Sequence, residues 1–252
     1  MKITVLGSSH GNPTPGHFQT SVLIESGGNY YLVDAGEPAN ALLINRGILA
    51  AQLSAVFITH MHIDHTGGLP SLLMQAGKHR PQFPEKKLQL YLPDAAGGKA
   101  LLDWMEANEK PQNCGFALNY MYCGNTYADD TVNVSFIPTD HMTRGPGNIA
   151  RSYAIFMELE GKKVLFSGDL AADFSDFPVE KAKKCDLVFC ELTHFNLEKN
   201  IHLLQQISPE KLVFYHVHTP HQLPEGAAKV MEKCAQLPYP VVIAADGTET
   251  IL

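Results

Sequence analysis

Short apolar runs punctuated by Gly, Pro and Asn recur along the first half of the chain and predict β-strands. One of them, SAVFIT at Ser54–Thr59, is a continuous apolar run, which is typical of a strand buried on both faces. The predicted strands of this half are Lys2–Leu6, Ser21–Ser26, Tyr30–Asp34, Ser54–Thr59 and Leu88–Leu92. Helical patterns lie between them, at Ala39–Arg46, from Gly68 onward, and at Gly98–Ala107.

The second half repeats this alternation of strands and helices. Its predicted strands are Thr131–Ile137, Ser152–Glu158, Lys163–Ser167, Leu187–Glu191 and Leu212–His216, and its predicted helix is Glu225–Gln236. The chain is predicted to close with a hairpin, Val241–Ala245 with Thr248–Leu252, around Asp246-Gly247. Strand clusters separated by helices, with hairpins in both halves, predict an α/β (α+β) fold of mixed sheets covered by helices. No linker-like segment divides the sequence, so we expect one domain over residues 1–252.

The composition is that of an ordinary globular protein, since 45% of the 252 residues are hydrophobic and 18% are charged. This apolar content is enough for a sizeable core, which argues against a disordered chain. The sequence has no apolar run near the ~20 residues that span a bilayer, and its first residues turn polar too early for a signal peptide. We therefore expect a cytoplasmic protein without a membrane partner.

The formal net charge of −7 disfavours nucleic-acid binding, because it repels a phosphate backbone. A solvated charged face is the simpler explanation for the one basic cluster in the sequence, which consists of Lys78, Arg80, Lys86 and Lys87. We therefore expect the protein to bind a small-molecule substrate and not to bind nucleic acid tightly. The one protein assembly considered is a homodimer.

Four of the six residues from His60 to His65 (HMHIDH) can coordinate a metal ion, and they directly follow the buried strand Ser54–Thr59. On a tight loop, His60 and His62 can point to one side. Asp64 and His65 can then turn to another, so that one segment serves two adjacent ions. Imidazole and carboxylate ligands suit zinc, manganese or iron. The segment therefore predicts a metal site in a cleft at the end of the strand.

This segment and the residues that follow it, Thr66-Gly67-Gly68-Leu69, resemble the signature loop of the metallo-β-lactamase superfamily. The resemblance continues downstream, because His141 (PTDHM), Asp169 (FSGDL) and His216 (LVFYHVH) stand where that family has its later ligands. It implies a four-layer αββα sandwich of two similar halves, with two metals at one edge between the sheets. The opening GSSHGNPTPG and the segment VDAGE are most similar to ribonuclease Z and its small phosphodiesterase relatives.

Carried over residue by residue, the resemblance implies a role for each ligand. The implied ligands are His60, His62 and His141 for the first metal, Asp64, His65 and His216 for the second, and Asp169 as a bridge between the two. The ions are expected to be divalent, zinc in the first place, with manganese or iron as alternatives. Asp34 is expected to orient a ligand imidazole by a hydrogen bond.

Three residues are candidates for the last ligand position, because HVHTPH contains His216, His218 and His221 within one loop. His216 is preferred since it ends the apolar run Leu212–Tyr215. His218 and His194 are then candidates for protonating the leaving group or contacting the substrate.

Two arginines beside His141 are candidates for holding a phosphate. Arg144 and Arg151 both lie in the segment Thr143–Ser152, and a guanidinium group matches the geometry of a phosphate. His10, in GSSHGNPT, is placed near the mouth of the site without an assigned role.

The expected reaction is hydrolysis of a small or cyclic phosphodiester by a metal-bound hydroxide, since a bound divalent ion lowers the pKa of water to about 7. Asp64 is expected to orient this nucleophile or to accept its proton. A ribonuclease Z-type RNA endonuclease is the alternative. Against it, residues 141–169 have no room for the arm that grips transfer RNA in that family, and Cys190 replaces the histidine of its His-Glu-Ala-Thr segment. An ester, thioester or lactone hydrolase on the same metals and a non-catalytic binding module are the other hypotheses.

Overall fold

The computed structural model describes residues 1–12, 14–109, 115–121 and 126–252. Its strands are β1 (Lys2–Gly7), β2 (Ser21–Ser26), β3 (Asn29–Val33), β4 (Leu53–Phe57), β5 (Leu88–Leu92), β6 (Phe116–Tyr120), β7 (Thr126–Ala128), β8 (Val132–Thr139), β9 (Ser152–Leu159), β10 (Lys162–Phe166), β11 (Leu187–Leu192), β12 (Lys211–Val217), β13 (Val241–Ile243) and β14 (Glu249–Ile251). Its α-helices are α1 (Ala39–Ile44), α2 (Ile63–Thr66), α3 (Leu69–His79), α4 (Ala95–Ala107), α5 (Val179–Ala182), α6 (Leu197–Leu204), α7 (Thr219–Gln222) and α8 (Pro224–Cys234).

The strands form two seven-stranded mixed sheets, in the orders β14-β1-β2-β3-β4-β5-β6 and β13-β12-β11-β10-β9-β8-β7. In each sheet, antiparallel pairs join a run of parallel strands, β3 to β6 in the first sheet and β10 to β13 in the second. The two halves are therefore built alike, and the predicted mixture of parallel and antiparallel strands is confirmed.

Apolar side chains fill three layers, one between the sheets and one beneath the helices on each outer face. Strand β4 illustrates how the sequence produces them. Ala55 and Phe57 point into the layer between the sheets, whereas Leu53 and Val56 pack under the helices of the first half. Because both faces of the strand are buried, its sequence reads as a continuous apolar run. The result is the four-layer αββα sandwich that the resemblance implies, so the predicted fold class is confirmed.

The predicted C-terminal hairpin is wrong. Strand β13 pairs in parallel with β12 of the second sheet, whereas β14 pairs antiparallel with β1 of the first sheet. The turn at Asp246-Gly247 therefore carries the chain from one sheet to the other. A turn signal specifies a local change of direction, but the free sheet edges decide which strand the next segment joins.

The elements that periodicity did not predict include strands β6 and β7, helix α6 and the one-turn helices α2, α5 and α7. Helix α4 also begins earlier than expected, at Ala95, because the Asp94 carboxylate caps it and accepts a hydrogen bond from Gly97 N at 2.6 Å. In the part of the chain that the structure describes, no helix combines the length and the apolarity needed to traverse a bilayer.

Candidate metal centre

The carboxyl ends of the strands in both sheets deliver the candidate ligands to one edge of the sandwich. The segment His60–His65 follows β4, His141 follows β8, and Asp169 follows β10. Two glycines let neighbouring loops close on this segment, because a Cβ on Gly36 would lie 2.2 Å from the Asp64 carbonyl oxygen and one on Gly11 would lie 3.2 Å from Asp64 Oδ2. Larger residues there would displace the histidine-rich segment.

The first cluster contains His60, His62, His141 and Asp169, whose candidate ligand atoms lie within 4.8 Å of one another. His60 Nε2 and His141 Nε2 lie 3.0 and 3.3 Å from His62 Nδ1. Both also approach Asp169 Oδ2, at 3.5 and 3.6 Å. The structure therefore brings the three histidines assigned to the first metal around one carboxylate oxygen.

The second cluster contains Asp64, His65 and His216. Asp64 Oδ2 lies 3.6 Å from His65 Nε2 and 3.1 Å from His216 Nε2. Asp169 lies between the clusters, since its Oδ2 is 3.4 Å from His65 Nε2 and its Oδ1 is 3.5 Å from His216 Nδ1. A carboxylate whose two oxygens face different imidazoles has the geometry that a bridging ligand requires.

Hydrogen bonds at Nδ1 turn Nε2 of three histidines toward the centre. His65 Nδ1 donates to Asp34 Oδ2 at 2.8 Å, and His141 Nδ1 donates to the Leu170 carbonyl at 3.3 Å. Thr59 donates to Asp34 and lies 3.1 Å from His60 Nδ1, which places a proton on that nitrogen. In the neutral form of each ring, Nε2 then carries no proton and can bind a metal ion, and this is how the partners of metal-binding histidines commonly fix the tautomer.

The protonation of the first cluster also suits a cation. Burial lowers the pKa of His60 well below its ordinary value and lowers the pKa of His62 and His141 as well, so these rings are held neutral. For Asp169, burial favours the neutral acid, but the charges of His216 and His65 and the hydrogen bond from His65 prevail and hold its pKa well below the usual range. Neutral imidazoles around an ionised carboxylate are the forms that bind a divalent metal.

Three enclosed polar atoms of the centre have no hydrogen-bond partner, namely His65 Nε2, Asp169 Oδ1 and His216 Nδ1. Buried polar atoms nearly always have partners, so such a concentration of unsatisfied atoms in one place calls for an explanation. His216 Nδ1 faces Asp169 Oδ1 at 3.5 Å, and His65 Nε2 faces Asp169 Oδ2 at 3.4 Å and Asp64 Oδ2 at 3.6 Å. Cations held between them would satisfy all three, so the residues fit the metals that the resemblance implies.

His216 reaches the centre because of a bulge. Tyr215 pairs with Glu191 and Val217 pairs with Leu192, which leaves His216 as an extra residue in β12, with φ of 48°. His218 belongs to none of the metal-binding groups, and its ring instead packs edge-on against His10 at 5.1 Å between centroids. His221 lies farther out, 5.9 Å from the His218 ring.

A matched pair of variants tests this choice of ligand. His216→Asn should lower the affinity for one metal by about 100-fold or more, since losing even an outer partner of a ligand costs 10–100-fold. His218→Asn should retain the metal content of the wild-type protein. Asn is used because it tolerates a positive φ. Metal per chain is measured by mass spectrometry after dialysis, and loss of metal from the His218 variant alone would reverse the assignment.

His194 joins the centre from the loop after β11. Its Nδ1 lies 3.7 Å from Asp169 Oδ2 and 3.1 Å from Glu191 Oε1. Burial lowers the pKa of His194, but the hydrogen bond and the charge of Glu191 outweigh it, and the net result is a raised pKa. The ring therefore carries a proton more readily than an ordinary histidine does.

Glu191 is an organising residue that the sequence analysis missed. Its carboxylate is fully buried and accepts hydrogen bonds from the backbone N–H groups of Leu170, Thr193 and His194, at 3.0, 2.7 and 2.9 Å. It thereby fixes the loops that carry Asp169 and His194. The available signal was an acidic residue at the end of the apolar run LVFCEL, where a buried charge needs several partners.

The two arginines proposed to hold phosphate have carboxylate partners. Arg144 Nε donates to Asp140 Oδ1 at 2.8 Å, and Arg151 Nε donates to Asp94 Oδ2 at 2.7 Å. Each arginine side chain is about one-third exposed. A phosphate would have to share either group with its present partner, so a role for Arg144 in substrate binding stays a prediction.

Comparisons with known proteins agree with this architecture. The sequence model of the family described as "Anti-Pycsar protein Apyc1" matches residues 1–228. A ribonuclease Z of Pseudomonas putida is 40% identical over 107 residues, which cover 42% of this chain. The match spans only 31% of that relative's length.

Solved structures share the fold over nearly the whole chain. The metallo-β-lactamase fold protein YhfI from Bacillus subtilis has a TM-score of 0.76 at 20% identity and covers 99% of this chain and 98% of its own. A diphosphatase from the PhnP family has a TM-score of 0.73 at 18% identity, covering 100% and 97%. The chain therefore has the metallo-β-lactamase fold.

Proposed function

The chain belongs to the Anti-Pycsar protein Apyc1 family, and on this premise we propose that it is a metal-dependent phosphodiesterase that hydrolyses a small or cyclic phosphodiester. The observation that carries the proposal is the convergence of six imidazoles and two carboxylates at one edge of the sandwich, with three enclosed atoms that lack a hydrogen-bond partner. A structural role for this cluster would not require unsatisfied polar atoms in the interior.

In this proposal, two divalent cations, zinc in the first place, occupy the two clusters. The residues that would hold them are His60, His62 and His141 in the first cluster, Asp64, His65 and His216 in the second, and Asp169 between the two. Bound there, such ions supply Lewis acidity toward a phosphoryl oxygen and lower the pKa of water.

Asp64 and His194 are the residues proposed to move protons. Burial opposes ionisation of Asp64, but the hydrogen bond with His216 and the charge of His65 lower its pKa to about 2, so it is an ionised acceptor at neutral pH. His194 Nδ1 is engaged by Glu191, which leaves Nε2 to donate a proton to the leaving oxygen. The raised pKa of His194 favours the protonated form needed for that step.

A cavity of about 980 Å³ is lined by residues that follow His194 and His218 in the sequence, and it supports a substrate with bulk beyond its reacting phosphate. Its lining includes Phe195 and Leu197 after β11, together with His221 of α7, Leu223 between α7 and α8, and Lys229 and Val230 of α8. A volume of this size is in the range of sites for small organic ligands, which runs from about 300 to 1,000 Å³. The lining also carries two lysines, Lys229 and Lys233, and two glutamates, Glu225 and Glu232, so their charges balance and the apolar side chains suit the ring system of a substrate.

A ribonuclease Z-type RNA endonuclease is the second candidate, and the match to a ribonuclease Z favours it. The arrangement of residues 141–169 weighs against it. This stretch, which the structure describes in full, forms a short 3-10 turn at Pro146–Asn148 and the β9–β10 hairpin, without an extended arm.

Substrate profiling tests the proposal. Zinc- and manganese-loaded protein is assayed with cyclic nucleotides, bis(4-nitrophenyl) phosphate, lactones and thioesters. We expect turnover of the phosphodiesters. Turnover of lactones or thioesters alone would assign the same centre to ester chemistry, and metal binding without turnover of any substrate would indicate a binding module.

The dependence of the rate on salt separates small substrates from RNA. We expect log(kcat/KM) for a small phosphodiester to change little with log[salt], because a compact ligand releases few counterions. Binding of transfer RNA through 6–10 phosphates would instead weaken by about 10³–10⁵-fold between 50 and 200 mM salt. Efficient, strongly salt-dependent cleavage of precursor transfer RNA would contradict the preference for small substrates.

A further inference from the structure

His10 lies beside the candidate metal centre without belonging to it. Only 5% of the residue is exposed, and its ring packs edge-on against His216 and His218, with centroids at 6.4 and 5.1 Å. The next residue, Gly11, lies against the Asp64 carboxylate. The loop that carries His10 therefore forms one wall of the centre, although no cluster of potential metal ligands includes this histidine.

The backbone fixes the tautomer of His10. The N–H of Thr219 donates to His10 Nε2 at 3.1 Å. An N–H group can only donate, so Nε2 must accept and cannot carry a proton. A neutral imidazole with an unprotonated Nε2 carries its proton on Nδ1.

A chain of hydroxyl groups supports the same tautomer. Thr219 Oγ1 lies 2.9 Å from His10 Nε2 and must donate to it, because that nitrogen has no proton to give. Thr14 Oγ1 then donates to Thr219 Oγ1 across 2.8 Å, and Ser9 Oγ donates to Thr14 Oγ1 at 3.2 Å. All these hydrogen bonds run in one direction and end at Nε2. They also tie the His10 loop to helix α7, more than 200 residues away in sequence.

The Nδ1–H group of His10 is left without a partner among the described residues, and it is not one of the enclosed polar atoms. We propose that His10 is a substrate-binding residue whose Nδ1–H donates a hydrogen bond to a non-bridging phosphate oxygen of the substrate. This inference rests on the proposed phosphodiesterase function. The donor is positioned before the substrate arrives, so that little ordering is needed on binding.

Two variants distinguish the roles of the two ring nitrogens of His10. In His10→Gln, the amide oxygen can occupy the position of Nε2 and accept from Thr219, but no donor replaces Nδ1–H. In His10→Asn, the amide nitrogen can occupy the position of Nδ1 and donate, but the Thr219 N–H loses its acceptor. The Gln variant should therefore keep its thermal stability and lose substrate binding, whereas the Asn variant should lose stability and keep more of the binding.

The two variants are compared with the wild-type protein by steady-state kinetics on bis(4-nitrophenyl) phosphate and by calorimetric titration with inorganic phosphate. A hydrogen bond to a charged group implies a loss of about 10- to 100-fold in His10→Gln, expressed mainly in KM and in the Kd of phosphate. Metal content and Tm of this variant should match the wild-type protein. The ¹⁵N chemical shifts of His10 should identify Nδ1 as the protonated nitrogen.

Failure of this inference differs from failure of the proposed function. If the wild-type protein turns over phosphodiesters and His10→Gln matches it in KM and in phosphate affinity, only the role of His10 is wrong. A protonated Nε2 in the ¹⁵N spectrum would overturn it as well. If the wild-type protein hydrolyses no phosphodiester, the proposed function fails and the role of His10 fails with it.

Discussion

Replacing Asp169 with Ala is expected to lower kcat by roughly 10³-fold and to reduce the occupancy of both metal positions. The carboxylate is 2% exposed and faces His60, His65 and His141 through one oxygen and His216 through the other. In the proposed centre, its loss removes a ligand from each position. Bound ions contribute several kcal/mol to transition-state stabilisation, and each ~1.4 kcal/mol is a factor of ten in rate.

Asp173→Ala is the matched control for this experiment. Asp173 lies four residues later in the same loop and is exposed, and among the described residues its side chain accepts hydrogen bonds from Ser175 alone. Metal content and kcat of this variant should equal those of the wild-type protein. An Asp169→Ala protein that kept both metals through dialysis would show that the carboxylate does not bridge them.

Glu191→Ala is expected to lower the free energy of unfolding by about 3 kcal/mol or more. The substitution leaves three backbone N–H groups without their acceptor, the buried one of Leu170 and the partly buried ones of Thr193 and His194, and leaving such a group unsatisfied costs about 1–3 kcal/mol where it is buried. This is a large fraction of the stability of an ordinary domain. Urea unfolding of the variant measures the effect, and Glu180→Ala, at a residue whose side chain is 83% exposed, is the control.

The milder Glu191→Gln variant tests the effect of the carboxylate charge on His194. Losing that charge should lower the pKa of His194, which Glu191 raises in the wild-type protein. A general acid works only while protonated, so activity falls as the pH rises through its pKa. The alkaline limb of the kcat profile should therefore move to lower pH. An unchanged alkaline limb would exclude His194 as the group that protonates the leaving oxygen.

Sequence alone determined the features that depend on neighbouring residues. Apolar periodicity over a few residues reports which faces of a segment are buried, and this was enough to predict most strands of both sheets and their mixed arrangement. The metal site at HMHIDH could also be predicted from the sequence, because a buried strand that ends in a short loop must place its next six residues at one sheet edge. The later candidates, His141 and Asp169, became visible only through the family resemblance.

Only the tertiary structure decided features that depend on residues far apart in the chain. The bulge that directs His216 rather than His218 into the centre depends on the register of β12 against β11. The hydrogen bonds of Glu191 and the contact between His10 and Thr219 likewise join separate loops. The C-terminal strands separate because each joins a different sheet edge. Such pairings are selected by hydrogen bonds and buried area summed over the whole fold, so no local pattern in the sequence can specify them.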